Sequence, residues 1–331
     1  MMRLPWFDYR RPRSVAEASK ILAGEGPQAM LIAGGTDLVP NMKRRHQTPK
    51  VLVSLKGIDA LKKANGTLGS GLTLSEVLQL EKIPTALRQA AAQVATVHLR
   101  NAGTLGGNLC LDTRCSYYNQ NYEWRKAIDF CLKKDGDICW VATASKRCVA
   151  VSSTDTAPAL IALNASVVLE SAAGEREIPV ETLYRNDGID YLSRKPEEIL
   201  TAVRIPDGWN STYWKLRRRG AFDFPVLGVA VALKFSAEKV IQEARVALGA
   251  AASRPFLVEK ASGFLQGRKL TDEVIAEAST LIASRAKPLD NTDMDLYWRK
   301  EVADDFAGYA LRELRGDDVR ETRLRIARYI V

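Results

Sequence analysis

Residues 29–38, AMLIAGGTDL, decide how the chain is read. Ala29 to Ala33 is a short apolar run closed by Gly34-Gly35, the pattern of a buried parallel strand that enters a ligand loop. A helix-like segment follows. Loop amides and a helix N-terminus would then face one point beyond the strand end, a geometry suited to a pyrophosphate. Upstream, Ser14 and Glu17 form a capping-box pair ahead of VAEASKILAG (15–24), and Gly24 is placed to end that helix. Downstream, residues 51–55 (VLVSL) read as a second buried strand. Strand, helix and strand at this spacing make the opening region α/β.

A second glycine cluster, Gly103-Thr104-Leu105-Gly106-Gly107-Asn108, follows a helical stretch at 82–97. It offers bare backbone together with Thr104 and Asn108 as polar groups. One such loop reads as readily as a tight turn that needs positive φ. Two in one chain favour a long phosphorylated ligand. Neither fits G-x-G-x-x-G, and the P-loop lysine is missing, which disfavours Rossmann and ATPase readings.

Residues 111–150 break the pattern. They hold four of the five cysteines together with Tyr117, Tyr118, Tyr122, Trp124 and Trp140, and show no steady periodicity. This is an insertion held by something other than a large apolar core. Four cysteines so close in a chain without a secretory leader point to metal before disulfides. The spacing Cys115-x15-Cys131-x7-Cys139-x8-Cys148 contains no C-x-x-C, so neither a zinc ribbon nor the common ferredoxin run applies. On the residues alone, iron–sulfur and zinc both stay open, and buried free thiols suit only Cys110.

Regular patterning resumes at Thr154. DTAPALIALNA (155–165) is helix-like, and ASVVLESAAGEREIPV (165–180) reads as a hairpin around Ala173-Gly174. Strands follow over 198–250, with alternation suited to an antiparallel sheet. Helices are expected at 270–285, 295–314 and 318–329, with Gly316 as the break.

The chain has 331 residues, 46% hydrophobic and 26% charged, which is globular composition with room for two or three cores. No segment has the apolar length of a membrane span, and a cytoplasmic protein is expected. The net charge of +9 suits an acidic partner or ligand. Lys43-Arg44-Arg45 and Arg217-Arg218-Arg219 read as solvated basic faces, and no nucleic-acid motif accompanies them. Only His46 and His98 are present; His46 reads as structural, while His98 lies near the second glycine loop.

IAGGTDL, HLRNAGTLGGNL and STDTAPAL (153–160), with EEIL (197–200), resemble the flavoprotein subunits of the xanthine dehydrogenase group of molybdenum hydroxylases. The resemblance implies an α+β protein. Its parts would be a two-part FAD-binding domain of the PCMH type and a C-terminal domain like that of the CO dehydrogenase flavoprotein. The first part is a small α/β lobe at 1–57, and the second an antiparallel lobe at 58–220 that carries the 111–150 insertion. The C-terminal domain is 221–331.

It also implies FAD contacts at Leu31, Ile32, Ala33, Gly34, Gly35, Thr36, Asp37, Leu38, Gly103, Thr104, Gly107, Asn108, Thr154, Asp155, Leu200 and Lys215. Asp155 would hold a ribose or ribityl hydroxyl, or act as a helix N-terminal residue. Within the group, the insertion is similar to that of 4-hydroxybenzoyl-CoA reductase flavin subunits, which implies a [4Fe–4S] cluster on Cys115, Cys131, Cys139 and Cys148.

The same resemblance implies a molybdopterin large subunit, a [2Fe–2S] small subunit and a dimer of heterotrimers. Substrate chemistry would lie on the large subunit, so no side chain here need be a general acid or base. Electrons from ferredoxin would enter through the insert. Arg114, Arg125, Lys126, Lys133, Lys134, Lys146 and Arg147 would make its face basic and its encounter with an acidic donor salt-sensitive. An oxidative hydroxylase that acts on another aromatic substrate is the alternative.

Overall fold

The computed structural model describes residues 3–327, apart from 65 and 221. Three sheets divide the chain. The first is parallel and is built from β1 (Asp8–Arg10), β2 (Ala29–Ile32) and β3 (Val51–Ser54), in the order β1-β3-β2. Helix α1 (Val15–Glu25) covers it with Val15, Ala18 and Leu22, against Val51 and Val53 of β3. Ser14 caps this helix as expected, its hydroxyl accepting from the Glu17 amide at 3.1 Å. The Glu17 carboxylate, however, reaches the Arg13 amide. The helix also runs through Gly24 to stop at Gly26, whose positive φ of 58° makes the break that Gly24 was expected to make. Strand β2 is half-buried because its residues line a cleft, whereas β3 is buried throughout.

The second sheet has the order β4-β7-β5-β6, with β4 (Leu68–Gly69), β5 (Ser166–Ser171), β6 (Gly174–Pro179) and β7 (Ile199–Arg204) all antiparallel. The β5–β6 hairpin forms as expected but turns at Ala172-Ala173, one residue before the expected Ala173-Gly174, because Gly174 already pairs with Ser171. Helix α2 (Leu38–Lys43) lies between β2 and β3, and α3 (Leu74–Gln79), α4 (Thr85–Gln93), α5 (Val97–Arg100) and α6 (Leu105–Leu109) follow β4 in the chain. The expected single helix over 82–97 is two, α4 and α5. The second glycine cluster is not a plain loop, for Leu105 to Leu109 wind into α6 behind the cap Thr104. The insertion contains one short helix, α7 (Tyr122–Ala127), before α8 (Thr156–Ala162) re-enters the main core.

The third sheet, β11-β10-β9-β8, joins β8 (Asn210–Leu216), β9 (Leu227–Phe235), β10 (Ile241–Gly249) and β11 (Phe256–Leu257). Because β8 pairs with β9, this unit begins at Asn210, earlier than the expected boundary at residue 220. Helices α9 (Glu259–Leu265), α10 (Asp272–Ala283) and α11 (Leu296–Arg315) bury Ala261, Ile275, Ile282, Phe306 and Leu311 against it. Gly316, at φ 110°, ends α11 before α12 (Arg320–Ala327). Among the described residues no helix is long and apolar enough to cross a membrane.

Candidate functional site

The two glycine segments meet. A Cβ on Gly34 would lie 1.9 Å from the carbonyl oxygen of Ala102, so the loop after β2 runs directly against the segment before α6. Gly35 holds φ at 69°, a turn that L side chains adopt only with strain. On the other side the Thr104 hydroxyl accepts from the Gly107 amide at 3.0 Å. These segments form one end of a cleft of about 1120 Å³, large enough for a dinucleotide.

Leu31 to Leu38, Gly103, Thr104, Gly107, Asn108, Asp155 and Leu200 all line that cleft. Thr154 and Lys215 stand behind it. The Thr154 hydroxyl donates to Oδ1 of Asn108 at 2.9 Å, and Thr156 donates to the same oxygen at 2.7 Å through its hydroxyl. With its carbonyl oxygen so engaged, Asn108 has its amide nitrogen to offer a ligand. Lys215 is consumed internally: its Nζ donates to Asp155 at 3.0 Å and to the Gln93 carbonyl at 2.9 Å. Tyr213 donates to the other Asp155 oxygen at 2.8 Å. Asp155 stands at the N-cap position of α8 without a side-chain cap bond and also lines the cleft. Burial pushes the Asp155 carboxyl up and the Lys215 ammonium down, each opposed by the partner charge.

Sequence reading missed a buried arginine. Arg114, expected on the basic face of the insert, is buried and lines the cleft. Its guanidinium pairs with the Asp37 carboxylate, donates to Asn41 at 3.0 Å and lies 4.9 Å from the centre of the Phe224 ring. Burial lowers it to about 10. Nothing near Arg114 in sequence announces this partner, because Asp37 comes from the first glycine loop.

The insert holds a second, much smaller cavity. Cys115, Cys131, Cys139 and Cys148 all line it, with Tyr117, Tyr118, Lys133 and Trp140. All four thiols are free and buried, while Cys110 stands apart in the lining of the large cleft. Burial pushes the Cys115 thiol up to about 11 and the Cys148 thiol up to about 12, and the neighbouring cysteines add to both. A bound cation would reverse that direction. Among the described residues no group of three or more His, Cys, Asp or Glu is arranged to hold one metal ion. Apolar packing inside the insert is thin, limited to Cys115, Tyr118, Cys148 and Ala150 with Tyr117, Leu132 and Val141 around them.

The charge reading of the insert needs correction. Arg114, Arg125 and Lys133 are internal. Lys126, Lys146 and Arg147 are exposed and Lys134 is half-exposed against Asp135, but Glu123, Asp129, Asp135 and Asp137 are exposed as well, which leaves that surface without a basic excess. What it exposes instead is aromatic: Tyr122, Trp124 and Trp140, with Ile138. Of the two histidines, His98 is exposed and outside the cleft lining. His46 is buried, stacked 4.2 Å from Tyr118, with Nε2 3.0 Å from the Gln120 carbonyl.

Comparison with known proteins agrees with this arrangement. Residues 5–208 match the family described as the FAD binding domain in molybdopterin dehydrogenase, and residues 211–314 match the CO dehydrogenase flavoprotein C-terminal domain. The aldehyde oxidoreductase FAD-binding subunit PaoB of Escherichia coli K12 is 29% identical, over 90% of this chain and 96% of that one. The glyceraldehyde dehydrogenase medium chain of Sulfolobus acidocaldarius is 25% identical, over 94% and 99%. Among solved structures, reconstituted CO dehydrogenase from Oligotropha carboxidovorans superposes with a TM-score of 0.74 at 24% identity, covering 96% of this chain and all of that chain, a likeness of fold.

Proposed function

The chain belongs to the FAD-binding subunits of the molybdenum hydroxylase family, and from that premise we propose that it carries a [4Fe–4S] cluster beside its FAD and serves as an electron-transfer subunit of the 4-hydroxybenzoyl-CoA reductase type. One observation carries the reading: four cysteines spread across the insert line a single buried cavity. A [4Fe–4S] cluster takes one thiolate per iron and accepts ligands from separated parts of a loop. Cys115, Cys131, Cys139 and Cys148 would hold it. The thin packing of the insert fits a segment stapled by its cluster.

The cleft residues fit FAD as well. The Gly34–Ala102 contact and the turn at Gly35 leave bare backbone where phosphates need N–H donors, while Leu31, Ile32 and Leu200 supply apolar wall. When bound, the flavin handles one or two electrons and the cluster handles one. This chain's own residues bind, orient and exclude water; none is required to move a proton. The partners in this reading are a molybdopterin subunit, a [2Fe–2S] subunit and a ferredoxin-like donor, in a dimer of heterotrimers. Trp140, which lines the cysteine cavity, is exposed, so an aromatic surface rather than a basic face is offered to the donor. The substrate assignment rests on the likeness of the insert to those reductase subunits. Oxidation of another aromatic compound or an aldehyde by the same subunit design is the competing reading, and the four-cysteine cavity weighs against it.

Anaerobic purification of the whole complex, with iron, sulfide, zinc and flavin analysis, tests the cofactors. About four irons and one FAD per copy of this chain, beyond the iron of the small subunit, support the reading. One zinc in their place sinks it. Oxidation of a reduced one-electron donor that depends on 4-hydroxybenzoyl-CoA tests the substrate; no turnover with that ester, alongside turnover with an aldehyde, favours the competitor.

A further inference from the structure

A buried ion pair stands between the two sites. Lys133 Nζ lies 2.8 Å from Asp112 Oδ1, and each side chain is 6% exposed. The ammonium has no donor to spare. Its other two hydrogens go to the Thr113 hydroxyl at 2.8 Å and the Gly188 carbonyl at 2.6 Å. Its charge also faces the Tyr118 ring, at 4.7 Å from the centre, and the Tyr191 ring at 5.6 Å. Tyr118 closes the arrangement by donating to the second Asp112 oxygen at 3.1 Å.

The orientation of the pair is the informative part. Lys133 lines the four-cysteine cavity but not the large cleft, and Asp112 lines the large cleft but not the cysteine cavity. The Gly188 carbonyl that receives Lys133 belongs to a residue whose amide donates to the Cys148 carbonyl at 2.8 Å. The positive end therefore lies on the cysteine side and the negative end on the flavin side. Burying such a pair strips both ions of their water, and apolar residues of the same volume often serve stability equally well. Its oriented placement between two redox sites asks for another role.

We propose that the Lys133–Asp112 pair moves the two potentials in opposite directions, raising that of the group held by the four cysteines and lowering that of the flavin, which narrows the step between an entry cluster and the flavin. The inference rests on the cofactor reading above. A nearby positive charge stabilises the extra electron on a thiolate-bound cluster, and a nearby carboxylate disfavours negative charge on a reduced flavin. Low dielectric makes both effects larger than in water. Lys133 and Asp112 are thus positioning residues that act through charge.

The test uses the whole complex purified anaerobically, with Lys133→Met and Asp112→Asn combined so that no lone charge is left buried. Iron and flavin content is measured first, then both midpoint potentials by reductive titration, the cluster by paramagnetic resonance and the flavin by visible absorption. With both groups still bound, the cluster's reduction equilibrium is expected to fall at least tenfold, ~59 mV for one electron, while the flavin midpoint moves positive. Unchanged midpoints, or shifts of the same sign, overturn the inference. If that variant does not assemble, Lys133→Gln with Asp112→Asn, which keeps polar groups facing Thr113 and Gly188, decides by the same two midpoints. Wild-type complex without iron in this chain would instead overturn the cofactor reading.

Discussion

Gly188 makes the four-cysteine cavity testable without touching a cysteine. A Cβ at this position would lie 2.6 Å from Cys148 Sγ and 2.9 Å from both the nitrogen and the Cβ of Ala150. The backbone there is not left-handed, so alanine brings crowding and no dihedral strain. Nor can the residue step aside. Its amide is tied to the Cys148 carbonyl, and its own carbonyl accepts from Thr113 at 2.5 Å and Lys133 at 2.6 Å. Ala150 is 1% exposed and cannot yield outward. The Cys148 sulfur is what must move. Overpacking of this kind costs about 1–3 kcal/mol, tolerable for a protein of this size. The expected outcome of Gly188→Ala is a folded complex with full flavin and a large loss of iron from this chain, read by metal analysis and paramagnetic resonance. Gly263→Ala serves as the control, because a Cβ there meets nothing within 4 Å; inside α9 it should be neutral or stabilising by about 0.5–1 kcal/mol. Full iron with an unaltered cluster signal in Gly188→Ala would refute the placement of Cys148 as a ligand.

Gly34→Ala should do the reverse, losing flavin while keeping iron, because its Cβ would overlap the Ala102 carbonyl oxygen at 1.9 Å; flavin absorbance per iron checks it. Cys131→Ser should abolish the cluster signal and Cys110→Ser should leave it, since only the former lines the insert cavity. His46 predicts a pH dependence. Burial holds its ring down to about 4, against an ordinary 6.5, with Arg125 and Arg44 lowering it further and Asp112 opposing them. Between those values the unfolded chain takes the proton and the folded chain refuses it. The His46 contribution to stability is therefore complete above pH 6.5 and is lost, by at most roughly 3 kcal/mol, as pH drops to about 4. The gap in melting temperature between pH 7 and pH 5 should narrow in His46→Gln, and an unchanged gap would contradict it.

The parts of the fold carried by local pattern were readable in advance: β2 and β3 from apolar runs, α1 from its Ser14 cap, the β5–β6 hairpin from Ala173-Gly174 and the C-terminal helices from their spacing. Where two local signals compete, the sequence misled. Gly24 lies inside α1 because the turn falls at Gly26, and the second glycine cluster winds into α6 behind its Thr104 cap. The residues expected to hold the cofactor divide the same way. Backbone sites at Gly34, Gly35 and Gly103 announce themselves through glycine, but Lys215 gives no sign that Asp155 and Gln93 have taken all it can reach. The basic residues of the insert misled most, because charge in a sequence is silent about burial. Arg114, Arg125 and Lys133 turn inward to hold the insert on the body, and they cannot form a surface for a donor.

The position of the insert in the chain explains why the cysteine cavity adjoins the cleft. It leaves the body directly after α6 and returns directly before α8, and both helices begin at residues that line the cleft, Thr104 and Asp155. The two stems then pair with each other. The Arg114 amide donates to the Val151 carbonyl at 2.8 Å and the Val151 amide returns the bond at 2.7 Å. Asn291 clamps both stems from the C-terminal unit, with its carbonyl accepting from Ser116 and its side chain donating to the Val149 carbonyl at 2.6 Å. Cys115 and Cys148 sit immediately beyond that clasp. Two of the four thiols are therefore fixed beside the cleft by backbone bonds before Cys131 and Cys139 are considered. Any group they hold must lie close to whatever the glycine segments hold. An insertion at a surface hairpin such as Ala172-Ala173 could have carried the same cysteines, but it would have set them on no path to the flavin.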